Sequence, residues 1–235
     1  MTDKSTNTIR AFTLIELLAV IAIIAILAAL LFPLASSMIK KGRQASVTNS
    51  LRTLGVGINL YAAEHDGALP GPSTVAIYGW ARNPSLPSDL AHLGQFIGPY
   101  LEPDKSSQDR ANYDSLQNPA LPETLQNNQE VAQFVRYDAV NTAQLEEFPV
   151  WGGWAMTLKT AAETTPQPKR LQGLSAKARS AAVITTVDKQ TWNTGNTAIR
   201  NLLPDAGPFN GKRVWLFLDG SVSAPTDAPP ALWFR

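Results

Sequence analysis

The chain has 235 residues and a mass of 25.4 kDa, room for one ordinary domain with an appendage or for two small domains. With 44% hydrophobic and 17% charged residues it is too apolar for a disordered chain, and a net charge of +1 leaves no basic stripe of the kind nucleic acid requires. The absence of cysteine, and the presence of only His65 and His92 as histidines, exclude disulfides, thiol catalysis, Cys-type zinc, iron–sulfur ligation and a multi-histidine metal site.

The N-terminus holds most of the information. A polar leader, residues 1–11, carries Lys4 and Arg10; the run 17–39 then carries no charge at all, and Lys40, Lys41 and Arg43 follow it. As a helix the run spans roughly 30 Å or slightly more, the thickness of a bilayer core. A cleaved signal peptide would place its cut near Ala35-Ser36-Ser37, but the run exceeds the usual h-region of about 7–15 residues. A plain signal anchor is the other simple reading, and positive charge at both ends leaves its orientation open. Neither accounts for Glu16. A carboxylate at the rim of an apolar span either marks the water interface or waits for a positive partner.

The segment Arg10-Ala11-Phe12-Thr13-Leu14-Ile15-Glu16-Leu17-Leu18 resembles the prepilin cleavage and methylation signal of type IV pilins and type II secretion pseudopilins. The resemblance implies cleavage by a prepilin peptidase between Ala11 and Phe12, N-methylation of Phe12, and a glutamate at the fifth mature position, which is Glu16. It also implies a proline at the twenty-second, which is Pro33. Ala11 departs from the glycine usual before the cut. The implied fold is α+β and pilin-like: a long N-terminal helix, transmembrane in its first half, packed on an antiparallel sheet. Implied partners are other pilin or pseudopilin subunits, the prepilin peptidase and an inner-membrane assembly platform. In a filament the Phe12 amine of one subunit would meet Glu16 of a neighbour, each charge offsetting the desolvation of the other. Without the leader the chain has 18 basic and 18 acidic side chains.

Pro33 removes one helical donor and predicts a kink or a melted turn around residues 29–33. Beyond Lys41, Val47, Leu51, Leu54, Ile58, Tyr61 and His65 fall on one helical stripe, the expected packing face for the globular domain. Arg43, Asn49, Arg52 and Asn59 occupy other faces. Gly42, Gly55 and Gly57 weaken the helix and suit close packing of a sheet or a second helix. Asp66-Gly67 and Pro70-Gly71-Pro72 end it. The expected organisation is a leader (1–11), a transmembrane and assembly helix (12–39), an amphipathic stalk (40–67) and a globular α+β domain (68–235).

Within that domain, 88–100 reads as a helix capped by Ser88. Residues 102–122 read as an exposed loop, and 123–134 as helical unless 131–137 form a strand. Strands are expected at 150–158, 181–187, 213–218 and 221–224. Asp219-Gly220 makes the last two a hairpin, with Trp215 and Phe217 on one face. Residues 164–170 and 193–211 read as loops. The segment 213–222 is also similar to the C-terminal strand–Asp-Gly–strand segment of a pilin-like group of planctomycete and verrucomicrobial bacteria, although the histidine frequent there is absent.

No sequence signature of catalysis is present, and no catalytic residue or enzymatic activity is expected. His65 reads as a C-terminal helix cap. Six tryptophans raise a sugar-stacking platform, with packing as the default for those in strands. Asp188, Asp205 and Asp219 are the weak candidates for calcium, which wants several oxygens; otherwise no cofactor and no metal are expected. The leading expectation is a structural subunit of a type IV pilus-like or secretion pseudopilus filament, anchored by a single pass in the inner membrane before assembly, its globular domain extracytoplasmic. The filament would then lie in the periplasm or at the cell surface. The alternative is a monomeric membrane-anchored binding protein, for polysaccharide among other ligands. No nucleic-acid partner is expected.

Overall fold

The structure is a computed structural model that describes residues 13–73, 76–78, 92–105, 112–126, 128, 130–137, 150–151, 167–175, 178–179, 183–191 and 197–226. One helix, α1, runs from Leu14 to Glu64. The chain divides by packing into residues 1–42 and 43–235. In the first unit α1 is apolar from Leu17 to Ile39, and its described side chains are exposed. In the second its stripe is the centre of a core.

That second unit is α+β. In chain order it holds the end of α1, then β1 (Ala76–Ile77), α2 (Leu93–Leu101), α3 (Glu123–Gln126), β2 (Phe134–Tyr137), β3 (Val183–Thr186), α4 (Thr197–Leu202) and β4 (Trp215–Phe217). The four strands form one antiparallel sheet in the order β1-β2-β3-β4. Arg136 pairs with Ile184 and Ile184 with Leu216, so Phe134, Ile184 and Leu216 share one face by the two-residue period of a strand. All three enter the same core as Val47, Leu51, Leu54 and Ile58. Val135, on the opposite face, joins a second cluster with Leu125, Val131, Val187, Ile199 and Leu203.

Two glycines explain how α1 fits between its neighbours. A side chain at Gly55 would meet Leu216 of β4 at 3.2 Å, and one at Gly57 would meet Ile97 and Leu101 of α2 at 3.1–3.2 Å. Two residues along a helix turn the direction by about 200°, so the sheet and α2 approach opposite sides. Nothing lies near Gly42, which has no such role. The helix closes where the sequence predicts: Asp66 and Gly67 take φ of 53° and 79°, and the Gly67 amide donates to the Ala62 carbonyl at 2.7 Å, returning a free end to the chain in the manner of a Schellman closure.

Several expectations are corrected. α1 is continuous through Pro33, so residues 29–33 contain no melted turn; a missing donor is tolerated when the remaining helical bonds hold the turn. α2 starts at Leu93 with His92 at its N-cap and continues through Pro99 to Leu101, whereas a start at Ser88 falls outside the described residues. Pro99 removes only the donor that would reach the Gln95 carbonyl, and the helical bonding resumes beyond it, the Glu102 amide donating to the Gly98 carbonyl at 2.9 Å.

The described parts of the span 102–122, residues 102–105 and 112–122, are not an exposed loop. They contain the 3-10 turns Pro103–Lys105 and Asp114–Leu116 and bury Tyr113, Leu116, Asn118 and Leu121. Tyr113 lies against Gly98, where any side chain would collide with its ring. The expected helix 123–134 is reduced to the single turn Glu123–Gln126, and of the alternative strand 131–137 the part Phe134–Tyr137 forms as β2. α4 lies inside the expected loop 193–211. Residues 150 and 151 form a turn, and the rest of the expected strand 150–158 lies outside the described residues.

The Asp-Gly turn forms with Gly220 at φ 84°, and Trp215–Ser223 and Arg213–Thr226 backbone bonds hold the returning chain. That chain is not a continuous strand, because only single bridges form at Val222 and Thr226. The Ser223 hydroxyl occupies the Trp215 amide, a side-chain bond that competes with a regular ladder.

Candidate functional site

The first turn of α1 is built from Thr13 and Glu16. The Thr13 amide and hydroxyl donate to Glu16 Oε2 at 2.9 and 2.8 Å, and the Glu16 amide donates to Thr13 Oγ1 at 3.2 Å. This is a reciprocal capping box: threonine stands at the N-cap, glutamate at the third helical position, and each satisfies a donor that a helix start leaves open. The carboxylate also sits at the positive end of the helix dipole. The Thr-x-x-Glu spacing before an apolar run is a readable sequence signal, and sequence reasoning that fixed on Glu16 alone missed Thr13.

Above this box the helix is unmistakably apolar and uncovered. Leu17, Ile24 and Ile39 are each 59% exposed and Phe32 is 80% exposed. None of the most apolar window is buried, and its length and composition suffice to cross a membrane. An apolar surface of this extent requires lipid or other chains around it. Ala11 and Phe12 lie outside the described residues, and Pro33 lies inside the unbroken helix.

The remaining candidates separate cleanly. Val47, Leu51 and Leu54 are fully buried and Ile58 almost so. Tyr61 packs from the edge of that core, and His65 at the end of the stripe is exposed. The imidazole stacks on Tyr61 at 3.8 Å, and its Nδ1 donates to the Tyr61 carbonyl at 2.8 Å, which is a helix-end role. Tyr100, edge-on to Tyr61, donates to Glu64 at 2.8 Å. Burial and that carboxylate push the Tyr100 hydroxyl up to about 12. His92 is buried and meets the Tyr78 ring edge-on at 4.9 Å.

The three calcium candidates do not form a ligand set. Asp188 is buried and grips Arg213 through two bonds, Nε–Oδ2 at 2.6 Å and Nη2–Oδ1 at 2.9 Å. Its Oδ1 also accepts the amides of Gln190 and Thr191. Asp205 is exposed and pairs with Lys189 at 2.6 Å, which holds its carboxyl below the usual range. Asp219 accepts the Ser221 amide within the hairpin turn. Among the described residues no three acidic or histidine side chains converge on a metal position. Trp151 and Trp215 are buried, so neither can offer a face to a sugar; Trp80, Trp154, Trp192 and Trp233 lie outside the described residues.

A family model described as the prokaryotic N-terminal methylation motif matches residues 6–32. The match covers the second half of the leader, the Ala11–Phe12 junction, the capping box and most of the apolar run, and it supports a prepilin-type signal of the type IV pilin and pseudopilin kind. The architecture behind it, a long N-terminal helix and an antiparallel sheet, is α+β and pilin-like. Such a motif points to a structural, pilin-type protein processed by a prepilin peptidase rather than to an enzyme. Neither a curated protein nor a solved structure matches the chain.

Proposed function

We propose that the protein is a subunit of a pilus-like or pseudopilus filament. In this reading it is held in the inner membrane by α1 until a prepilin peptidase cuts before Phe12, and it then assembles through the same helix. The observation that supports this most strongly is the combination at one helix end: a methylation motif over residues 6–32 with Glu16 set at the base of a wholly exposed apolar span. Cleavage before Phe12 creates an amine about one helical turn from Glu16. In the isolated subunit Thr13 satisfies the carboxylate. In a filament the methylated amine of a neighbour neutralises it, which offsets the cost of placing a charge among apolar helices and sets the axial register.

The filament reading is tested by expressing Glu16→Val in cells without the wild-type subunit. Membrane-fraction levels and the fold of residues 43–235 are expected to be unchanged while sheared filament is lost. Normal filament yield removes the assembly role of Glu16.

A further inference from the structure

The positive charge at the far end of the apolar span has no carboxylate to answer it. Lys40 and Lys41 follow Ile39 directly, are exposed, and enter no ion pair among the described residues. No acidic residue occurs anywhere in 17–63. Glu16, the acidic residue at the near end, lies 24 positions away, roughly 36 Å along a helix at 1.5 Å per residue. A neighbouring helix in level register would therefore present no carboxylate at this height. At the near end the Glu16 carboxylate is held by Thr13, and the charge at the far end is that of Lys40 and Lys41, with the exposed Arg43 beyond them.

We propose that Lys40 and Lys41 bind the phosphate of anionic phospholipid headgroups at the membrane surface where α1 emerges. The inference rests on the membrane reading above and adds the lipid class. Successive helical positions are about 100° apart, so the two ammonium groups address adjoining sectors of the lipid annulus. The flexible lysine stems stay along the apolar surface while their heads reach the phosphates. The attraction of a lysine to an anionic surface fades within a Debye length and so weakens as salt is added. The contact fixes the depth of the subunit and must be given up on extraction into a filament.

The chain has no cysteine, so Met38→Cys accepts a single fluorophore next to the proposed site. The full labelled chain is reconstituted in phosphatidylcholine vesicles containing a small, equal fraction of acyl-labelled acceptor, either phosphatidylglycerol or phosphatidylcholine. Energy transfer is expected to be severalfold greater to phosphatidylglycerol, to decline with salt, to survive Lys40→Arg with Lys41→Arg, and to lose most of its preference for phosphatidylglycerol with Lys40→Gln and Lys41→Gln, Arg43 alone remaining. Equal transfer to both lipids in a chain that floats with the vesicles overturns the proposal and leaves the membrane reading intact. Competition by inorganic phosphate beyond that of chloride at matched ionic strength assigns the site to a free anion and also overturns it. A chain that does not float overturns the membrane reading and this proposal with it.

Discussion

Asp188 shows how a single residue changes meaning between sequence and structure. As a letter among Asp205 and Asp219 it suggests a hard cation; in the fold its charge is neutralised by Arg213 and its remaining lone pairs by two amides. Asp188→Ala would leave Arg213 buried and unpaired, and truncating one partner of such a pair costs roughly 3–5 kcal/mol. A urea melt is expected to show that loss, and calcium is not expected to shift the parent midpoint.

Glu16 poses the reverse problem, because cap and counter-ion are roles of the same carboxylate. Glutamine also completes a capping box, so Glu16→Gln keeps the first turn but loses the charge. If assembly depends on charge, Glu16→Gln and Glu16→Val both lose filaments; recovery by glutamine would assign the role to the cap.

Glu102 gives a pH prediction at the same scale. Burial raises its pKa, but the bonds from Lys105 and Ser115 outweigh burial and hold it below the usual range. Lys105, bonded to Glu102 at 2.7 Å and Asp114 at 3.0 Å, is held above its own. The Glu102 contribution is therefore present above the unfolded carboxylate pKa, about 4.3, and is lost as pH falls through the lower folded value. The Lys105 contribution is present below about 10.4 and is lost as pH rises through its raised value. Lys105→Met should flatten the acid limb of the stability curve, which denaturation between pH 3 and 7 measures.

At the scale of elements, α1 is the part most legible in the sequence. Its apolar run, the 3- and 4-residue spacing from Val47 to Tyr61 and the Asp66-Gly67 stop are local patterns, and local patterns survive folding. The interval 102–122 was opaque for the opposite reason. Tyr113, Leu116 and Leu121 are scattered among polar residues; the first two are buried in the core that holds Leu93 and Ile97 of α2 and Leu121 in the second cluster with Val131 and Val187, which no short window reveals. The Thr13–Glu16 box was legible but is a two-residue signal easily passed over beside a stronger motif. Arg213 as the partner of Asp188 was not legible, since 25 positions separate them.

Three substitutions test the packing of α1. Leu54→Asp would place an unpaired charge in a fully buried position, a cost of several kcal/mol against a total of roughly 5–15 kcal/mol. Asn59→Asp, on the exposed face, should stay within about 0.5 kcal/mol. Gly57→Val should also destabilise, by about 1–3 kcal/mol, because α2 leaves no room for a branched side chain. Urea melts of the three variants in a chain lacking residues 1–39 order them; a Leu54→Asp midpoint equal to the parent would contradict the packing of this stripe on the sheet.

At the scale of the whole molecule, the division at Gly42 separates two kinds of surface. Residues 43–235 bury their own core, whereas the apolar half of α1 buries nothing and depends on what surrounds it. Removing residues 1–39 is expected to yield a soluble, folded monomer, checked by sedimentation and circular dichroism. The central claim is that the N-terminus is a working prepilin signal, and the intact mass of the protein purified from membranes tests it most directly. The account predicts a chain that begins at Phe12 and carries one additional methyl group, with the mass unmethylated and uncut when the prepilin peptidase is absent. A chain that retains residues 1–11 in peptidase-positive cells, or one cut near Ser36, would contradict it.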